Sequence, residues 1–196
     1  MKKLLITGFD PFGGASVNPS REAVMALPDT IGDWVLTKQE VPTVFGLAAG
    51  QVLDTAAVLK PDAIICVGQA GGRKAVTPEV VGINLREASI PDNHGNRPQN
   101  LPVVEGAPAT YFATLPVREM VSAMGARGIP AALSYSAGAF VCNDLLYTLL
   151  HHYQNTAVQV GFIHIPYLPE QAGEGIPSLP LDAVVEALTA AITALS

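Results

Sequence analysis

AALSYSAGAFVCNDLLYTLLHHYQNTAVQVGFIHI, Ala131 to Ile165, holds a strand, a helix and a second strand in immediate succession. AALSYS (Ala131 to Ser136) and VQVGFIHI (Val158 to Ile165) are short apolar runs of strand length. Cys142 to Tyr153 lies between them and carries its leucines at helical spacing. Strands joined through a helix favour a parallel sheet.

The same rhythm extends in both directions. LLIT (Leu4 to Thr7) and AIICVG (Ala63 to Gly68) read as further strands. Arg21 to Leu27, Val44 to Leu59, Val117 to Ala126 and Leu181 to Leu195 read as helices, several opened by proline or a capping residue. The expected fold is therefore α/β: one three-layer sandwich with a twisted, largely parallel sheet, helices on both faces and ligand groups at the strands' C-terminal ends. Ser89 to Pro108, rich in Pro, Asn and Gly, breaks the rhythm and is longer than an ordinary connection, which predicts a functional or mobile loop. No composition shift, internal period or linker divides the chain, so residues 1–196 are expected to form one domain. A chain of this length buries roughly 70% of its unfolded surface, enough for a sizeable core.

Composition narrows the function. A net charge of −6 with no basic run repels phosphate backbones and anionic membranes, which argues against nucleic-acid and membrane partners. The two cysteines, Cys66 and Cys142, make neither a disulfide framework nor a CxxC metal site, so reduced thiols and a cytoplasmic setting are expected. The opening MKKLLITGFDPFGG has too few apolar residues for a signal or spanning segment and reads as a strand.

Cys142 follows a strand-like run and small residues at the start of a helix. A thiol there faces free N–H groups and the positive end of the helix dipole, which favour the thiolate and also suit an oxyanion. The alternative is a small apolar core residue, the commoner fate of a lone intracellular cysteine. Cys66, inside a continuous apolar run, reads as structural. A nucleophilic thiolate needs a base, and His164, near the end of a strand just before Pro166, is the best placed of the four histidines. His151 and His152 lie about two and a half turns beyond Cys142 and read as helix surface. His94, in DNHGN, reads as a turn residue. An acid must orient the imidazole; Glu79 is a candidate, but Asp10, Glu87, Asp92 and Asp144 also lie in promising loops and spacing does not choose among them.

Two glycine-rich turns, GFDPFGG (Gly8 to Gly14) and GQAGGRK (Gly68 to Lys74), follow strands. Neither matches a P-loop or a dinucleotide motif, although such turns allow close backbone approach to a ligand. Phe9 and Phe12 flank Asp10 in the first, which suggests a pocket wall or a loop packed onto the sheet. HExxH is absent and the histidines lack ligand spacing, which disfavours metal-dependent hydrolysis.

GFDPFGG with NPS at Asn18 to Ser20, VPTVF at Val41 to Phe45, GQAGGR, TPEVVGIN, IPDNHGN, GAFVCN and GFIHIPYLP together resemble the pyroglutamyl peptidase I family, the pyrrolidone carboxyl peptidases, over nearly the whole chain. The resemblance implies a cysteine-type omega peptidase that needs no cofactor, with Cys142 as nucleophile, His164 as base and Glu79 as orienting acid. It implies a substrate slot lined by Phe9, Phe12, Phe140 and Val141, with Thr43, Gln69 and Ile90 nearby and Asn18 bracing the first turn. The substrates would be N-terminally pyroglutamylated peptides. Relatives form homo-oligomers, frequently tetramers. Two departures stand out: Ser89 occupies a position where family members usually carry Arg, and the chain ends at Ser196, where relatives often continue, so contacts of such a tail are expected to be missing. Two other readings compete with the peptidase: a phosphate-handling transferase or phosphorylase of similar layout, using Arg73 and Lys74, and an inactive pyroglutamyl-peptide binding protein.

Overall fold

A computed structural model describes residues 1–195; Ser196, the end of the expected domain, lies outside the described residues. In chain order the elements are β1 (Lys2–Phe9), α1 (Pro19–Ala26), β2 (Thr30–Ile31), β3 (Trp34–Val41), α2 (Leu47–Leu59), β4 (Ala63–Gln69), β5 (Thr77–Pro78), β6 (Val81–Ile83), β7 (Thr110–Phe112), α3 (Val117–Ala126), α4 (Val141–Tyr153), β8 (Gln159–Ile165) and α5 (Leu181–Thr193). The main sheet runs β2-β3-β1-β4-β8-β5. Its four inner strands are parallel, and β2 and β5 close the two edges antiparallel. A separate two-stranded ribbon pairs β6 with β7.

Period-2 alternation divides the core. Leu4 and Ile6 of β1, Ile65 of β4 and Ile163 of β8 join a cluster that includes Val24 of α1, Met120 of α3 and Leu188 of α5. Leu5 and Phe9, Ile64 and Cys66, and Val160 and Phe162 join a second cluster with Val52 of α2 and Leu145 of α4. Each fully buried aliphatic or aromatic side chain contributes roughly 1.5–3 kcal/mol. Because β1 leads to β3 on one side and β3 returns to β4 on the other, the order reverses between β1 and β4. In such sheets a crevice opens beyond the carboxyl ends of the strands at that reversal.

Besides short strands such as β2 and β7, which the sequence reading left unassigned, the structure departs from it at two longer stretches. Trp34–Val41 forms β3, which the sequence reading left unassigned. Its outer half, Lys38 to Glu40, is polar and partly exposed, so it lacks the apolar run of an interior strand. Ala131–Ser136 is not a full strand: it runs in extended form beside residues 76–80 through isolated bridges at Val76↔Ala131 and Glu79↔Ser134. The long loop is pinned. Asp92, buried, accepts hydrogen bonds from the backbone N–H of Phe45, His94 and Asn96 and from Asn96 Nδ2.

Candidate active site

His164 is the sixth residue of β8, on the same face as Phe162, and its ring centroid lies 4.7 Å from that of Phe162. β5 pairs antiparallel with β8, setting Thr77 opposite His164. The next turn then places Glu79 beside the strand, its backbone N–H donating to Phe162 O at 2.9 Å. Glu79, fully buried, thereby meets His164: Nδ1 and Oε1 are 2.7 Å apart. Burial pushes the Glu79 carboxyl up, but the hydrogen bond and charge of His164, with the hydrogen bond from Arg73, outweigh it and hold the group below the usual range. Burial pushes the His164 imidazole down, and the nearby Glu79 offsets this only in part, so the ring is neutral at neutral pH.

Cys142 is the second residue of α4, whose first turn has no side-chain cap. Asn143 and Asp144 staple that turn in place. Asn143 Oδ1 accepts from Ile83 N at 2.9 Å and its Nδ2 donates to Ile83 O and Leu85 O. Asp144 accepts from Gly46 N at 2.7 Å and from Arg86 Nε at 2.6 Å. The thiol lies over Gly68 of β4, which pairs in register with His164. Burial, then the charge of Glu79, pushes the Cys142 thiol up to about 12, against the opposing pull of Arg73 and a backbone N–H. This is the reverse of the thiolate expected from the helix terminus. A helix dipole is worth about 0.3–1 kcal/mol, under one pKa unit, whereas burial can shift a group by several units. At rest the site holds a protonated thiol and a neutral imidazole.

The turn after β1 is fastened from two sides. Asn18 caps α1, accepting from Ser20 N at 3.1 Å, while its Nδ2 donates to Asp10 O at 2.9 Å. Thr43 N donates to Asp10 Oδ1 at 2.7 Å, and Asn93 of the long loop donates to the same oxygen. Phe12 and Phe45 both pack on Phe140, at centroid distances of 6.3 and 5.2 Å. A cleft of about 880 Å³ opens beside this turn at the reversal between β1 and β4, lined by Phe12, Gln69 and Ile90 together with Tyr167 and Gln171. Of the slot residues expected from the resemblance, Phe12, Gln69 and Ile90 share this cleft. Phe9, Thr43 and Val141 are buried instead, and Phe9 and Val141 belong to the core cluster beneath.

The remaining candidates lie elsewhere. His151 meets the Tyr111 hydroxyl at 2.9 Å, His152 is exposed, and the backbone N–H of His94 donates to Asp92 within its turn. Glu87 accepts from Asn100 N, so Asp92, Asp144 and Glu87 all serve as backbone anchors. Arg73, which with Lys74 would hold the anion of a phosphate site, donates to Thr77 Oγ1, Glu79 Oε1 and Ser136 O. The sequence reading missed Arg73, Asn93 and Asn143 as parts of this centre. Among the described residues no group of three or more His, Cys, Asp or Glu is placed to hold a metal, and no helix is long and apolar enough to cross a membrane.

A family model described as pyroglutamyl peptidase matches residues 2–196. The pyrrolidone-carboxylate peptidase of Escherichia fergusonii is 49% identical over 200 residues, covering 100% of this chain and 94% of its own. That of Enterococcus faecalis is 47% identical over 190 residues, covering 95% and 89%. Among solved structures, pyroglutamyl peptidase I of Bacillus amyloliquefaciens superposes with a TM-score of 0.94 at 48% identity, over 97% of this chain and 95% of its own. Pyrrolidone carboxyl peptidase of Thermococcus litoralis gives 0.95 at 35% identity, over 100% and 93%.

Proposed function

The chain belongs to the pyroglutamyl peptidase family, and on that footing we propose that it hydrolyses N-terminal pyroglutamyl residues from peptides as a cysteine-type peptidase, with Cys142, His164 and Glu79 as its catalytic triad. The observation that carries the reading is the 2.7 Å contact between His164 Nδ1 and buried Glu79, at strand ends beside Cys142. With Nδ1–H donated to Glu79, the Nε2 lone pair is free to accept the thiol proton as sulfur attacks the pyroglutamyl carbonyl. The uncapped N–H groups of α4 would receive the developing oxyanion. The imidazolium then returns its proton to the leaving amine, and water activated by His164 hydrolyses the thioester. The steps call on no cofactor.

A pyroglutamyl ring is a small neutral lactam without a free amine. Its recognition calls for flat apolar walls and partners for one amide, which Phe12, Phe140, Ile90 and Gln69 would supply with Phe9, Thr43 and Val141 behind them. Asn18 would hold the Phe12 turn. The core clusters on the two faces of the sheet support a three-layer sandwich, read as one catalytic domain over 1–196. The substrate partners would be pyroglutamyl peptides in the cytoplasm, where free thiols persist; a homo-oligomer, tetrameric in many relatives, is proposed from the resemblance and is read by light scattering. A chromogenic pyroglutamyl amide, assayed with and without iodoacetamide, tests the activity. Release that alkylation abolishes supports it. Release that requires phosphate, or binding without release, would overturn it.

A further inference from the structure

Glu79 Oε1 accepts two hydrogen bonds at 2.7 Å, one shared with His164 Nδ1 and one from Arg73 Nη1. The Arg73 side chain is 28% exposed, whereas Glu79 is completely buried. The same guanidinium donates to Thr77 Oγ1 and, through Nη2 at 3.0 Å, to Ser136 O. It thus ties together the turn after β4, strand β5 and the extended segment before α4. Thr77 Oγ1 in turn donates to the carbonyl of His164. We propose that Arg73 is a positioning residue of the triad: its guanidinium clamps Glu79 Oε1 beside His164 and supplies the permanent charge that keeps this carboxylate ionised while the imidazole stays neutral. The inference rests on the peptidase reading and adds a fourth member to its machinery.

The need for such a residue follows from proton placement. A buried carboxylate and imidazole left alone settle in one of two ways. If the proton sits on Glu79, the acid donates to Nδ1, the other tautomer carries its hydrogen on Nε2, and no lone pair faces the thiol. If the proton moves to the ring, Nε2 is protonated as imidazolium and again cannot accept. A fixed cation on Oε1 opens a third state, with ionised Glu79 accepting from both Arg73 and a neutral Nδ1–H ring, which leaves Nε2 free. The charged and titratable groups facing His164 and Cys142 are Glu79, Arg73 and Cys66. Among these Arg73 alone is a permanent cation, and its rigid planar fork holds Thr77, Glu79 and Ser136 in one fixed geometry.

Arg73→Gln and Arg73→Lys test this through the pH dependence of kcat/KM and through 15N NMR of the His164 ring, which reads its tautomer and titration without turnover. Arg73→Gln is expected to lower kcat by at least about tenfold, the factor one pKa unit represents, with KM little changed. Its acidic limb and the ring titration should both move to higher pH, because a cation that opposed imidazolium formation is gone. Arg73→Lys, which keeps the charge but loses the fork, should retain the wild-type limb with a severalfold lower kcat. Wild-type limbs and ring titration in Arg73→Gln would overturn the proposal; should that variant not fold, wild-type kcat in Arg73→Lys would do so. Cys142→Ala provides the separation: turnover surviving in it would sink the peptidase reading itself, whatever Arg73 does.

Discussion

Cys142 packs its thiol over Gly68 on one face of the sheet: a Cβ built on Gly68 would lie 3.0 Å from Cys142 Sγ and 2.6 Å from Cζ of Phe162. Phe162 is fully buried and cannot step aside, so the missing side chain is what lets the thiol sit over the strand end opposite His164. Gly68→Ala is therefore expected to cost about 1–3 kcal/mol of stability through overpacking and to displace the thiol. Thermal denaturation and kcat should both fall. A variant with wild-type Tm and kcat would show that the packing between Gly68, Phe162 and Cys142 is loose at this point.

Phe9 and Phe12 are close in sequence but separate in role. Phe9 is 2% exposed and packs on Phe162, whereas Phe12 is half-buried on the cleft wall against Phe140. Phe9→Ala is expected to cost about 3–5 kcal/mol of stability, as large-to-small core changes do. Phe12→Ala should leave Tm nearly unchanged and raise KM for a pyroglutamyl amide by about tenfold or more, the equivalent of 1–3 kcal/mol of lost apolar contact. Urea unfolding and steady-state kinetics on both variants check the division; equal effects on KM would return Phe9 to the pocket wall.

His164 and Cys142 could be picked out locally, one as a polar break near the end of an apolar strand before a proline, the other as a thiol opening a helix after small residues. Glu79 could not, because its meeting with His164 depends on the β5–β8 pairing across 85 residues. The bracing of the first turn by Asn93 is equally remote, with Asp10 and Asn93 separated by 83 positions. Interior strands announce themselves because both faces are apolar. β3 does not, since Thr37, Lys38, Gln39 and Glu40 make its outer half polar and only partly buried.

Burial governs the ionisation of the resting site, and the pH dependence follows from its sign. With the thiol pushed up to about 12, alkylation of Cys142 by iodoacetamide should rise steadily through the alkaline range. A preformed thiolate–imidazolium pair would instead give a plateau near neutrality, and observing one would refute this assignment. His164 sits below its ordinary value of 6.5, because burial disfavours the imidazolium. The base stays competent above its folded pKa and is lost as pH falls through it. The acidic limb of kcat/KM should therefore lie below 6.5, and a limb above that value would contradict the neutral imidazole.

Ser89 is exposed, and its neighbour Ile90 lines the cleft. An arginine there would bring a cation toward the site, which favours the thiolate and any oxyanion. Two arginines already bear on the same ground. Arg86 is engaged by Asp144, two residues beyond Cys142, so its charge is largely offset where it stands. Arg73 acts on the Cys142 thiol in the direction of lower pKa. A cation added at an exposed position works through water, where two charges about 4 Å apart interact by only about 1 kcal/mol and salt screens beyond about 8 Å at physiological ionic strength. Ser89→Arg is therefore expected to move the alkylation curve of Cys142 to lower pH by a small margin at low salt, and to let the two curves merge as salt is raised. Alkylation of wild type and variant across pH, at low and high salt, measures this. A large shift that survives high salt would show that the introduced guanidinium reaches the buried thiol directly, and that the serine has left an electrostatic gap that Arg73 does not fill.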